Sequence, residues 1–302
     1  MNSVFTGFRL LLLAGLGVGA FPASAGDMAY VHCQAETTQD ERQLFAWEVL
    51  QEALNRTSAA YGPYSIREAH ISLRQERLLQ AMDQGSRDIT VALLPVMPDS
   101  ARHTAFPVRI PVIGGLWGYR VLLIAAASQQ RFKSVHTLED LKTVSLGQSW
   151  YWADTEILRK AGLQVVTGES YEGLFRMLAA GRFDAFSRSI MEAGAEYDAH
   201  RDLVPNLVIE RNLLLHYPMP EYFWFSGDAE GRRLAQRVRD GLSAMVADRS
   251  LCRMVDNRFG KIFRSLALPR REVIEIANPQ LGAEDHLGEP AYWCNPLLTE
   301  AR

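Results

Sequence analysis

Apolar and polar positions along the chain follow two periods in turn. Within Glu41–Asn55 apolar residues at 45, 46, 49, 50, 53 and 54 make the stripe of an amphipathic helix. Met28–Cys33 before it and Tyr64–Ile71 after it read as strands. Leu73–Gln84 then predicts a helix stopped by Gly85, followed by a buried strand over Asp88–Leu94 that Pro95 ends. The succession returns later in the chain. Ser170 is a good N-cap for a helix over Tyr171–Ala180, Gly181 stops it, and a strand follows over Asp184–Phe186. In both units an aspartate, Asp88 or Asp184, comes three residues after the helix-stopping glycine.

Two long apolar runs without a helical stripe separate these units from the rest, Ile113–Ala127 and Leu207–Ser226. They read as two passages by which the chain leaves one lobe and comes back to it. The expected organisation is an α/β protein with a discontinuous first lobe (26–119 and 218–264) and a continuous second lobe (120–217). Strands over Thr143–Leu146, Gln164–Val166 and Asp184–Phe186, with helices over Ala153–Ala161 and Tyr171–Ala180, would fill the second lobe. Helices over Asp228–Ala247 and Arg249–Phe263 would return to the first. A tail over 265–302, rich in Pro, Gly and acids, is expected to pack on the first lobe through Trp293 and Cys294.

The N-terminus has a different pattern. Arg9 supplies a positive charge, Leu10–Phe21 is apolar, and Ala23-Ser24-Ala25 is a small-x-small cleavage site. The apolar run is shorter than the roughly 20 residues a membrane span needs. Residues 1–25 therefore read as a secretory signal peptide, and the mature protein as a periplasmic one. Export makes a disulfide plausible. Cys33, Cys252 and Cys294 allow three pairings; Cys252–Cys294, which would staple the tail to the body, is the expected one.

Composition narrows the function further. Hydrophobic residues make up 48% and charged residues 22%, as in a folded globular protein. A net charge of −3 gives no chain-wide reason to bind nucleic acid. The seven histidines show no HxxxH spacing, and there is no CxxC pair, GxSxG elbow or GxxxxGK[ST] loop. No motif calls for a cofactor, a metal or catalysis. Glu192 and Glu196, four residues apart, read as a solvated helix face.

Three stretches carry a resemblance: QAMDQGSRDITVALLPVMPDSAR followed by AFPVRIPV, HTLEDLKTVSLGQSWYW, and SYEGLFRMLAAGRFDAF. The second is similar to S-x-x-D-L-K-G-x-x-V-G-x-x-x-G and the third to S-x-x-E-x-L-x-x-L-x-x-G-R-x-D-A, both motifs of the bacterial family 3 periplasmic solute-binding proteins. Over roughly 28–265 the chain resembles these amino-acid-type receptors of ABC importers. The resemblance implies a two-lobed periplasmic-binding-protein fold (type II), two crossover segments, and a ligand cleft closed by hinge bending. It also implies a monomer that passes a small solute to an importer permease or a membrane sensor.

The family's amino-acid clamp is missing. Its first-lobe arginine position falls on Ser100, with Arg102 two residues on, and its second-lobe aspartate is replaced by Ser187-Arg188. Arg188 at a strand tip would instead meet a solute carboxylate or phosphate. Gln148-Ser149-Trp150-Tyr151, between a strand and the helix from Ala153, would offer free N–H groups to an anion, with Trp150 and Tyr151 as aromatic walls. Pro95, Glu36 and Arg120 complete the candidate site. The expected ligand is a small anionic or aromatic solute. The alternatives are a dehydratase-like enzyme on the same scaffold, with Glu36 or Glu192 as its acid or base, and a degenerate scaffold that binds a protein partner.

Overall fold

The computed structural model describes residues 28–34, 43–96, 100–204 and 206–297. The leader expected over 1–25 and the candidate Glu36 lie outside them. In chain order the elements of the first half are β1 (Met28–Cys33), α1 (Leu44–Arg56), α2 (Ser58–Tyr61), β2 (Tyr64–Ala69), α3 (Gln75–Asp83), β3 (Ala92–Pro95), β4 (Phe106–Val108), β5 (Tyr119–Ala125), α4 (Gln129–Phe132), α5 (Leu138–Leu141), β6 (Ser145–Ser149) and α6 (Ala153–Lys160). The second half contributes β7 (Gln164–Gly168), α7 (Tyr171–Ala179), β8 (Ala185–Ser189), α8 (Ala193–His200), β9 (Leu207–Ile209), β10 (Leu213–His216), β11 (Glu221–Phe225), α9 (Ala229–Ala247), α10 (Ser250–Ser265) and β12 (Glu272–Glu275).

The strands divide into two groups. β1 pairs with β2 in parallel, and β11 lies between β3 and β4, antiparallel to both. These strands, with α1, α3, α9 and α10, form one lobe. The other is a seven-stranded sheet ordered β12-β10-β5-β8-β6-β7, with β9 also pairing with β5. The α1 stripe is buried as its periodicity demands: Phe45, Ala46, Val49, Leu50, Ala53 and Leu54 are all inside, in one core with Leu234, Val238 and Leu242 of α9. Fully burying side chains of this size stabilises the fold by about 1.5–3 kcal/mol each.

The long apolar run over 207–226 is not one passage. It folds into β9, β10 and β11, and only Tyr217–Pro220 between β10 and β11 crosses between the lobes. The other crossing precedes β5, at Leu116–Gly118. The two touch where the Tyr217 N–H donates to the Gly118 carbonyl at 3.1 Å. A Cβ at residue 118 would be driven into the Tyr217 carbonyl, so glycine is what lets the crossings run side by side.

The tail, expected to pack on the first lobe, also has a place in the second. β12 adds in parallel to β10, with Leu213 opposite Glu272, and so extends the second-lobe sheet. The physical reason is an edge: β10 would otherwise present unpaired backbone groups. Beyond β12 the tail does reach the first lobe. Asp285, fully buried, binds Arg109 and accepts from the Tyr222 hydroxyl at 2.8 Å. Cys294 is disulfide-bonded to Cys252 of α10, and its N–H donates to the Gly114 carbonyl at 3.0 Å. The tail thus runs beside both crossings and touches both lobes.

Candidate functional site

Between the lobes lies a cleft of about 200 Å³. The first lobe contributes Trp47 of α1, Arg74 and Gln75 at the start of α3, Leu93–Pro95 of β3, and Glu221 of β11. The crossings contribute Trp117 and Met219, and the second lobe Arg120, Tyr151, Trp152, Asp154, Arg188 and Glu192. This placement follows from topology, because strand ends in an open α/β sheet converge where the chain switches direction. Trp47 is held from behind by His32, stacked on it at 4.0 Å. Burial lowers the His32 pKa, so that support is a neutral ring near pH 7.

Arg188 forms the floor, 3% exposed. Its Nε donates to Glu196 at 2.6 Å, and one terminal nitrogen reaches Glu196 at 2.6 Å and Glu192 at 3.0 Å. Trp152 and Phe186 lie within cation–π range of the guanidinium, at 4.8 and 4.9 Å. Burial opposes the Arg188 charge, but Glu192 and Glu196 outweigh it and hold its pKa above the ordinary range. The reading of Glu192 and Glu196 as a solvated face is therefore corrected: both are 7% exposed. Their i, i+4 spacing puts two carboxylates on one face of α8, and that face meets the buried guanidinium. The partner expected from a solute anion is supplied by the chain itself.

A second buried pair lies beside the first. In the β5–β8 register Arg120 is opposite Ser189 and Val121 opposite Arg188. A terminal nitrogen of Arg120 meets Asp154 at 3.0 Å and the Met219 sulfur at 3.4 Å. Asp154, in the first turn of α6, also accepts from the Tyr217 hydroxyl at 3.2 Å. Arg120 Nε, by contrast, is buried without a hydrogen-bond partner among the described residues.

Of the candidate residues, Pro95, Arg120, Tyr151 and Arg188 line this cleft. Ser149 and Ser187 are fully buried and are not among its lining residues. Ser100 and Arg102 sit on a 3-10 turn and also do not line it; Ser100 is buried and Arg102 exposed. Trp150 is 56% exposed and packs edge-on against Tyr151, while Trp152 takes the place in the wall expected of it. The N–H groups expected to be free for an anion are in part used. Trp150 donates to the Gly168 carbonyl at 3.4 Å and Trp152 to the Ser149 carbonyl at 3.2 Å. Trp47, Gln75, Trp117, Asp154 and Glu221 were not among the candidates. Only Asp154 carried a local signal, an acid in the first turn of a helix that follows a strand.

The turn holding Ser100 and Arg102 is tethered to α3. Asp83 accepts from the backbone N–H groups of Thr104 and Ala105, both at 2.8 Å, and lies 2.6 Å from the His103 ring. Burial opposes a charge on His103, yet Asp83, helped by Glu76, raises its pKa overall. A raised histidine pKa stabilises the fold fully below its unfolded value of about 6.5, and that contribution disappears as pH rises through the folded value. The urea midpoint of the wild type should exceed that of His103→Gln most below about pH 6.5, with the gap closing as pH rises through the raised pKa of His103. A gap that stays constant with pH would remove the charged pair from the account.

No protein-family model matches the sequence, and none of the curated proteins matches it. Solved structures do. A structure from glutathione import via GshT and the cystine ABC importer TcyBC of Streptococcus mutans aligns with a TM-score of 0.52 at 14% identity, covering 78% of this chain and 95% of that one. The VFT2 domain of Bordetella pertussis BvgS, a double mutant, aligns at 0.50 with 18% identity, covering 76% and 92%. The GluR0 ligand-binding core in complex with L-glutamate aligns at 0.50 with 12% identity, covering 78% and 98%. With two lobes, two adjacent crossings and a cleft between them, the chain has the type II periplasmic-binding-protein fold, the fold of the family 3 solute-binding proteins.

Proposed function

We propose that this chain is a periplasmic receptor that captures a small solute between its lobes and delivers it to a membrane partner, an ABC importer or a sensor. The observation that carries this reading is the cleft itself: one cavity, lined from both lobes, directly over two crossings joined by the Tyr217–Gly118 hydrogen bond. A solute touching both walls is bound better by the closed arrangement than by an open one, and that difference in affinity is what drives hinge closure. The fold relatives point the same way, since one structure concerns glutathione import and another holds L-glutamate. The signal peptide expected from the sequence of residues 1–25 would fit export.

Of the two solute classes expected, the wall composition favours the aromatic one. Trp47, Trp117, Tyr151 and Trp152 line the cavity, and both buried arginines in it already have carboxylate partners. At about 200 Å³ the cavity is smaller than the ~300–1,000 Å³ sites that take drug-sized ligands.

A thermal-shift screen of residues 26–302, refolded to strip carried-over ligand, against a metabolite library tests the reading. Ligand at 100 times Kd should stabilise the protein by about 2.7 kcal/mol. A hit should also reduce the radius of gyration in solution scattering, as closure requires. A folded protein that no solute stabilises would refute it.

A further inference from the structure

Three side chains that line the cleft each carry a buried polar atom that the described residues leave without a hydrogen bond: Trp117 Nε1, Arg120 Nε and Gln75 Oε1. A buried polar atom without a partner costs about 1–3 kcal/mol, and native proteins keep few of them. Three around one small cavity point to a bound partner. They come from both sides. Gln75 opens α3 in the first lobe, whereas Trp117 and Arg120 are three residues apart where the first crossing runs into β5. The set comprises two donors, an indole N–H and a guanidinium N–H, and one acceptor, an amide oxygen.

The charge around these atoms decides what kind of group suits them. Two buried arginines, Arg120 and Arg188, face three buried carboxylates, Asp154, Glu192 and Glu196. Glu221 adds another carboxylate to the lining, while Arg74 stands exposed at the mouth, 5.2 Å from the Tyr151 ring. A solute carboxylate at the floor would be desolvated beside acids whose arginines are already engaged, and like charges in a dry site repel strongly. An uncharged carbonyl meets the two donors without that repulsion. A neighbouring N–H on the same solute would satisfy Gln75.

Resting on the receptor reading above, we infer that the solute is a small, uncharged aromatic or heteroaromatic molecule bearing a carboxamide or lactam. Its carbonyl accepts from Trp117 and Arg120, its N–H donates to Gln75, and its ring lies among Trp47, Tyr151 and Trp152. The cavity volume limits it to a single ring with a short substituent.

Isothermal titration of the refolded chain with two matched pairs tests this: benzamide against benzoate, and nicotinamide against nicotinate. Each amide should bind at least about tenfold tighter than its acid. Trp117→Phe keeps a ring but removes the N–H, and should weaken amide binding about three- to tenfold, the scale of one neutral hydrogen bond. Gln75→Met should do the same from the opposite wall, with the urea midpoint as the control for folding. Tighter binding of the acids, or amide affinity unchanged in both variants, overturns the amide class while leaving a receptor. Failure of all four probes alongside a metabolite hit of another class does the same. Silence of the whole library would instead remove the receptor reading itself.

Discussion

Arg188→Ala should lower folding stability by about 3–5 kcal/mol, the scale for removing one partner of a buried ion pair. The reason is local. Glu192 and Glu196 are each 7% exposed, and the substitution strips both of the guanidinium they share. It also leaves a gap beside Trp152 and Phe186, whose faces lie against the cation. Urea unfolding followed by tryptophan fluorescence measures the loss. The triple variant Arg188→Met/Glu192→Leu/Glu196→Leu should recover most of it, because a buried ion network can often be replaced by apolar packing at little net cost. Unaltered stability in Arg188→Ala, with loss only of solute affinity, would return the arginine to the role of an anion ligand.

The second large effect concerns the tail. Cys252 and Cys294 are separated by 42 residues, and closing a loop of that length stabilises a fold by about 4 kcal/mol in the chain-entropy account. The paired substitution Cys252→Ser/Cys294→Ser should lose stability on that scale in a urea melt. The loss should be accompanied by faster proteolysis between Glu289 and Leu297. β12 should remain protected, since it is held by the β10 register rather than by the disulfide. Uniform loss of protection through β12 would mean that the tail unfolds as one piece and that its two attachments are not independent.

Much of the architecture was legible because it is written in local periodicity. The six buried positions of α1 are the six apolar positions of its stripe. Ser170 accepts from the Gly173 N–H at 3.1 Å, as an N-cap should. The aspartate that follows the second helix-stopping glycine also has a role, since Asp184 accepts from the Ser145 N–H at 2.8 Å and so ties β8 to β6. Less legible was the run over 207–226. A continuous apolar stretch looks the same whether it is one crossing or three short buried strands, and only pairing with β5, β12 and the β3–β4 layer distinguishes them.

The site was the least legible part. Arg188, expected beyond a strand ending at Phe186, lies inside the longer β8 and lines the cleft, yet whether a buried cation faces a ligand or its own chain depends on α8, whose acids follow in sequence but meet it only through the turn at Ser189–Glu192. Trp150, Tyr151 and Trp152 are consecutive, so residue type could not say which of them look inward. The backbone path between β6 and α6 points Tyr151 and Trp152 into the cavity and Trp150 towards solvent. Trp47, Gln75 and Trp117 come from three separate elements, with no spacing to connect them.

The sequence by itself determined the order and type of most elements, the two-lobed α/β plan and the apolar faces that form the cores, because hydrophobic period and helix stops act over a few residues. Tertiary structure alone decided that Arg188 is neutralised from within, that β12 leaves the tail to join the second lobe, and that an indole, a guanidinium and an amide from distant segments converge on one cleft. These depend on which backbones lie side by side, and that is settled by packing and by the pairing of buried charges across the whole chain rather than by any local pattern.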